Sequence, residues 1–136
     1  MELEVQQVTD KPMVTRQNSR RQVQEQVRDA YSAAAERLRD NHPFPVGREL
    51  ALGLGYPKKI LDSLPAVSVE AMAGVSNVSI FAEIPPGSTV LDRGCGAGVD
   101  SMIAARKTGP SSKVLAVDFS PAMLARARRG AAESGA

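Results

Sequence analysis

Two kinds of hydrophobic pattern divide this chain. From Asn18 to about Asp40, Val23, Val27, Ala30 or Tyr31, Ala34 and Leu38 recur at spacings of three and four, which predicts an amphipathic helix with Asn18 as its N-cap. Residues 1–17 ahead of it are polar, include Pro12 and lack periodicity, and read as a disordered arm. Prolines and a glycine make Asn41-His-Pro-Phe-Pro-Val-Gly a loop, after which Leu50, Leu52 and Leu54 lead to Gly55. Pro57 opens a short helix with Ile60, Leu61 and Leu64 on one face, and Pro65 ends it. Residues 67–84 read as helical in two pieces broken near Gly74 to Asn77, with Val78, Phe81, Ala82 and Ile84 toward a sheet.

Past residue 84 the pattern changes to short apolar runs of strand formers. Thr89, Val90 and Leu91 follow the turn signal Pro85-Pro86-Gly87 and stop at Asp92, just before Gly94, Gly96 and Gly98. Val99, Met102 and Ile103 then share a helical face, which Thr108-Gly109-Pro110 terminates. Lys113-Val-Leu-Ala-Val-Asp118 is a second strand ending in an acid. A last helix starts with Ser120 as N-cap and Pro121 at its first position, presents Met123, Leu124, Ala127 and Ala131, and ends near Ser134. The result is an α/β chain in three parts: an arm over 1–17, a helical lead-in over 18–84, and a strand-loop-helix-strand-helix unit over 85–136.

The loop between the first strand and its helix narrows the chemistry. Glycines at alternate positions clear side chains from a face where backbone must touch a ligand. The spacing is G-x-G-x-G, and Val99 stands where a dinucleotide fingerprint would place its third glycine. Asp92 at the mouth of the loop repels a pyrophosphate and suits a ligand with an ammonium or sulfonium. Asp118, at the end of the next strand, is placed to accept hydrogen bonds from ribose hydroxyls and disfavours a 2′-phosphate. A cationic nucleoside fits better than a nicotinamide dinucleotide, and a non-catalytic nucleoside-binding fragment is the third reading.

VLDRGCGAG and VLAVDFSPAML resemble the first two motifs of the class I S-adenosylmethionine-dependent methyltransferases. The resemblance implies a Rossmann-like sheet of which these residues supply the first βαβα part. It also implies that S-adenosyl-L-methionine is the cofactor and a small molecule the acceptor. By the same resemblance Gly94, Cys95, Gly96 and Gly98 form the cofactor loop, Asp92 orients the cofactor's amino end, Asp118 holds its ribose, and Phe119 lies on its adenine. Arg93 departs from the pattern, since the family has an apolar residue there, and a guanidinium buried in that slot would be costly. Upstream, VRDAYSAAAERL, LGYPKKILDSLP and VEAMAGVSNVSIFAEIPPG are similar to the lead-in of the branch that includes arsenite methyltransferases. That likeness puts Tyr31 on a helix covering the cofactor. The branch's arsenic-binding cysteine turn is Gly74-Val75-Ser76-Asn77-Val78 here, without cysteine.

Composition removes several other classes. A net charge of +2, from 17 basic and 15 acidic residues, gives no electrostatic footprint for nucleic acid or an anionic membrane. The N-terminus lacks the basic region and apolar core of a signal peptide, and no run of 18 apolar residues exists, which suits a cytoplasmic protein. One cysteine and one histidine, Cys95 and His42, do not make a metal cluster. No general acid, base or nucleophile stands out, as expected where the cofactor carries the chemistry. Asp100 reads as an exposed charge in a first helical turn, and Arg106 and Lys107 as complements to the dipole at that helix's end. Arg126, Arg128 and Arg129 read as a solvated face, and Cys95 also as a small buried residue. Two parallel strands leave apolar edges uncovered, so the sequence reads as truncated and predicts self-association and no transfer activity by these residues alone.

Overall fold

The computed structural model describes residues 1–8 and 17–135. Strand β1 (Glu2–Gln7) is followed by helix α1 (Gln17–Glu36) and four short helices: α2 (Arg48–Gly53), α3 (Lys58–Asp62), α4 (Ala66–Val69) and α5 (Val78–Phe81). Then come β2 (Thr89–Arg93), α6 (Val99–Thr108), β3 (Lys113–Asp118) and α7 (Pro121–Ser134). The strands form one parallel sheet in the order β1-β3-β2.

Strand β1 corrects the expected arm and the count of two strands. Glu2-Leu-Glu-Val-Gln-Gln alternates polar and apolar residues, and the register sets Leu3 beside Val114 and Val5 beside Ala116. Leu3 and Val5 thereby join the core under the sheet, while Glu4 faces the other side and pairs with Lys113 at 2.5 Å. Arg128 of α7 donates to the Val5 carbonyl at 3.2 Å, so it ties the strand to the last helix and does not belong to a purely solvated face. The α/β core therefore takes in a strand that begins at residue 2 and is not confined to residues 85–136. Residues 9–16 of the expected arm lie outside the described residues.

Helices α6 and α7 cover one face of the sheet. Val114 is buried with Ala104 and Ala105, and Ala116 with Leu124 and Cys95. Leu91 and Leu115 are register partners on the opposite face, where Leu91 is 62% exposed. Strand β2 is thus an edge strand with one uncovered face. This geometry also places Arg93, two residues along on the same face as Leu91, in solvent, so the costly buried slot expected for it does not exist here.

The lead-in helices lie against α6 and α7. Leu61 and Leu64, which share a face as their spacing predicts, pack together with Val69 and Met72 against Met102 and Ile103 of α6. Arg106 donates to the Ser63 hydroxyl and carbonyl at 2.6 and 2.7 Å, and Lys107 to the carbonyls of Ser79, Ile80 and Ala82 at 2.5, 3.0 and 2.9 Å. These two cations cap the ends of α3 and α5 instead of serving only their own helix. Arg126 bridges Ala35 O (2.5 Å) and Val67 O (2.8 Å), fastening α1 and α4 to α7. Two expectations fail on the surface side. Val78 and Phe81 are 61% and 76% exposed and do not face the sheet, whereas Ile84 does pack beneath it. Helix α1 begins at Gln17, ahead of Asn18, and is covered only along its second half: Ala34 and Ala35 are buried, Val23 and Val27 exposed.

Candidate cofactor site

Parallel strands end together, and backbone that turns away from their carboxyl ends leaves a crevice there. Residues 94–98 fill part of that crevice and are laced to the tip of β3. Gly94 N and Cys95 N donate to the Val117 carbonyl at 2.8 and 3.0 Å, and Gly96 N donates to Asp118 Oδ2 at 2.8 Å. The other Asp118 oxygen accepts from Ser120 N at 2.8 Å, and Ser120 Oγ accepts from Met123 N as the N-cap of α7. Asp118 is 7% exposed, so its charge sits where two backbone amides hold it.

The three loop glycines divide into two uses. All have φ in the left-handed region: 80° at Gly94, 52° at Gly96 and 88° at Gly98. A Cβ on Gly94 or Gly96 would meet nothing within 4 Å, but one on Gly98 would lie 3.1 Å from the Cβ of Ala127. Gly98 thus permits the close approach of α7 to the start of α6. Gly94 and Gly96 face open space.

That space is a cleft of about 280 Å³ between the glycine loop and the turn joining α4 to α5. Asp92, Gly94, Cys95 and Gly96 line it together, with Gly74, Val75 and Ser76 opposite. Asp92 Oδ2 accepts from Ser101 Oγ at 2.5 Å. Burial pushes the Asp92 carboxyl above the usual range against that hydrogen bond, and the charges of Asp100 and Asp118 add to the rise. Burial, with Asp92 and Asp118 nearby, pushes the Cys95 thiol up to about 12, so it is a neutral thiol at physiological pH.

Phe119 and Tyr31 meet on the other side of Asp118. Tyr31 stacks on Phe44 with centroids 4.6 Å apart and meets the edge of Phe119 at 6.3 Å. The Ser32 and Ser120 hydroxyls, 2.9 Å apart, tie α1 to the start of α7. Phe119 opens into a second cavity, of about 350 Å³, shared with Gln7, Val8, Arg21 and Arg28. The structure therefore gathers the residues singled out in sequence into two adjoining groups joined at Asp118, with Gly98 in a packing role.

Asp100 is where reading the chain residue by residue fell short. It is not an exposed first-turn charge: it is half-buried and lines the cleft with Asp92. The Tyr56 hydroxyl donates to its Oδ1 at 2.7 Å, and Ser79 Oγ donates to the same oxygen. Tyr56 and Ser79 lie 44 and 21 residues away; the packing of α5 on α6 brings Ser79 to it, and the packing of the α2–α3 turn on α6 brings Tyr56. No group of three or more His, Cys, Asp or Glu side chains suited to a metal ion occurs among the described residues. None of their helices is long and apolar enough to cross a membrane.

A glycine loop held on a buried acid at the ends of three parallel strands defines the class as a mixed α/β protein, consistent with part of a Rossmann-like methyltransferase fold. Residues 84–136 match the family described as methyltransferase domain. The chain is also similar to an arsenite methyltransferase of Halobacterium salinarum, with 40% identity over 83 residues, 61% of this chain and 21% of that protein. No solved structure matches at a significant level. The likeness to the methyltransferase domain is confined to the segment from residue 84 onward, and the chain spans about a fifth of the length of the curated relative it matches.

Proposed function

We propose that this chain is the N-terminal, cofactor-binding part of an S-adenosylmethionine-dependent methyltransferase that acts on a small-molecule acceptor in the cytoplasm. The observation that carries the reading is Gly96: its amide is fixed by Asp118, its φ of 52° favours glycine, and among the described residues no atom lies within 4 Å of where a Cβ would stand. The residues present fit the cofactor. Gly94 and Gly96 let a ligand approach the backbone, Asp92 offers negative charge to a cationic amino-acid end, and Asp118 retains acceptor lone pairs for hydroxyls. Phe119, with Tyr31 behind it, offers an aromatic wall for a base.

When bound, the cofactor supplies a methyl group already activated on a sulfonium. The chain's own part is to hold it: the loop excludes water beneath it, and Asp92 orients its amino end. No proton needs to be moved by these residues, consistent with a neutral Cys95 and the lack of an acid-base pair in the cleft. The arsenic-binding cysteine turn of the branch is absent from residues 74–78, so arsenite is not the acceptor this segment supports. Calorimetric titration with S-adenosylhomocysteine and, separately, with NAD tests the reading. Saturable binding of the first alone is expected, and binding of NAD alone would overturn it.

A further inference from the structure

Strand β2 stands at one end of the sheet, and among the described residues no strand lies beyond it. Along a strand the main-chain N–H and C=O groups turn to alternate sides, residue by residue. The Gly94 amide donates to the Val117 carbonyl of β3, so the main-chain groups of Val90 and Asp92 also face β3, and those of Thr89, Leu91 and Arg93 face outward. The opposite edge of the sheet is blunted. Glu2 N and Val8 N donate to β3, which turns the Val5 carbonyl outward, and there the Arg128 guanidinium takes it. Strand β2 has no such guard: it carries neither proline nor lysine, its register with β3 is unbroken, and its central residue, Leu91, is 62% exposed.

We infer that β2 is the contact strand of a symmetric dimer, in which the β2 strands of two copies of this chain pair antiparallel about a two-fold axis at Leu91. The run Thr-Val-Leu-Asp-Arg suits this register. Leu91 lies opposite Leu91 of the second copy, and the two exchange both main-chain hydrogen bonds. Thr89 lies opposite Arg93 of the second copy, so a guanidinium meets a hydroxyl and no like charges oppose each other. Every outward amide of the strand thereby finds a carbonyl. Leu115, the register partner of Leu91 on the same open face, extends the contact into a row of leucines across the seam. The side chains of Val90 and Asp92 stay on the α6 side, where Val90 packs with Ala104 and Ala105 and Asp92 holds Ser101. A single strand pair buries less than the roughly 1,000 Å² of a lasting interface, so the dimer exchanges with monomer.

Sedimentation equilibrium on this chain from about 5 to 500 µM should show a reversible monomer–dimer equilibrium. Leu91→Lys, which sets two ammonium groups opposite each other, should raise the dissociation constant by about tenfold or more. Leu91→Pro removes an amide that the ladder with β3 does not use and should act the same way. Should that variant fail to fold, Leu91→Lys, a change at an exposed side chain, still reads the contact. Cross-linking reads the register: under mild oxidant Leu91→Cys should form a disulfide-linked dimer, whereas Thr89→Cys, whose two copies stand about 14 Å apart, should not. The wild-type chain, with Cys95 buried, is the control for the native thiol. A chain that stays monomeric throughout the range overturns the inference. So does association that Leu91→Lys leaves unchanged, which puts the contact on another face, or cross-linking by Thr89→Cys equal to that by Leu91→Cys, which denies the register.

Discussion

Replacing Asp118 tests the fold and the site at once, because its carboxylate ties the glycine loop to β3 before any ligand arrives. Asp118→Ala leaves Gly96 N and Ser120 N, each 2.8 Å from a carboxylate oxygen, without an acceptor. Hydrogen bonds to a charged acceptor contribute about 1.5–3 kcal/mol each, and a buried amide left unpaired costs about 1–3 kcal/mol. Two such losses, reduced where water reaches the loop, give an expected destabilisation of about 3 kcal/mol. Asp118→Asn retains one oxygen, satisfies one amide and turns an NH₂ toward the other, so about half that loss is expected. Urea unfolding followed by circular dichroism measures both, and calorimetry with S-adenosylhomocysteine measures the ligand side. Binding by Asp118→Asn should weaken by about 1–3 kcal/mol as hydroxyl donors lose a charged partner. An Asp118→Ala chain that unfolds at the wild-type midpoint would refute the stitched loop, and undiminished binding by Asp118→Asn would remove Asp118 from the ligand site.

Four further outcomes are expected. Gly96→Val should abolish binding of S-adenosylhomocysteine, since it fills the open face and strains a left-handed residue, and wild-type affinity would mean that the loop is only a turn. The Asp92 carboxyl is raised on folding, so its ionised form costs stability: the penalty is absent below its unfolded pKa and complete above its folded one. Asp92→Asn should therefore stabilise the unliganded chain at neutral pH, with the gain vanishing in acid, and should weaken the ligand; a gain that persists at low pH contradicts the assignment. A Cβ on Gly130 of α7 would collide with the buried Ser68 hydroxyl, which has no hydrogen-bond partner among the described residues. Gly130→Ala should thus destabilise by about 1–3 kcal/mol alone but be neutral or better in a Ser68→Ala background, and equal effects in both would deny the contact. Arg93→Leu should change stability by no more than about 0.5 kcal/mol because the guanidinium is in solvent, and a gain of 1 kcal/mol or more would restore the strained slot.

Local pattern sufficed for much of this protein. The run Thr89–Asp92, the alternate glycines and the run ending at Asp118 each announce their structure over a few residues, because strand propensity, glycine conformation and helix caps act locally. Asp92, Gly94, Cys95 and Gly96 accordingly share the cleft, and Ser120 caps α7, as read from the chain. Strand β1 was legible only faintly: Leu3 and Val5 alternate with polar residues over too short a span to outweigh their surroundings, and the strand exists because β3 offers an open edge and α7 a surface to cover. The roles of Arg106, Lys107 and Arg126 could not be read in sequence at all, since a cation's partner carbonyls are chosen by which helix ends arrive beside it. The same holds for Gly98 and Asp100. Gly98 shares the spacing of its neighbours yet meets Ala127 rather than open space, and Asp100 acquires Tyr56 and Ser79 only when the α2–α3 turn and α5 pack on α6. Residue type and spacing determined where a loop and its acids would lie; distances between remote segments decided which of them face the cleft, because those distances exist only in the packed chain.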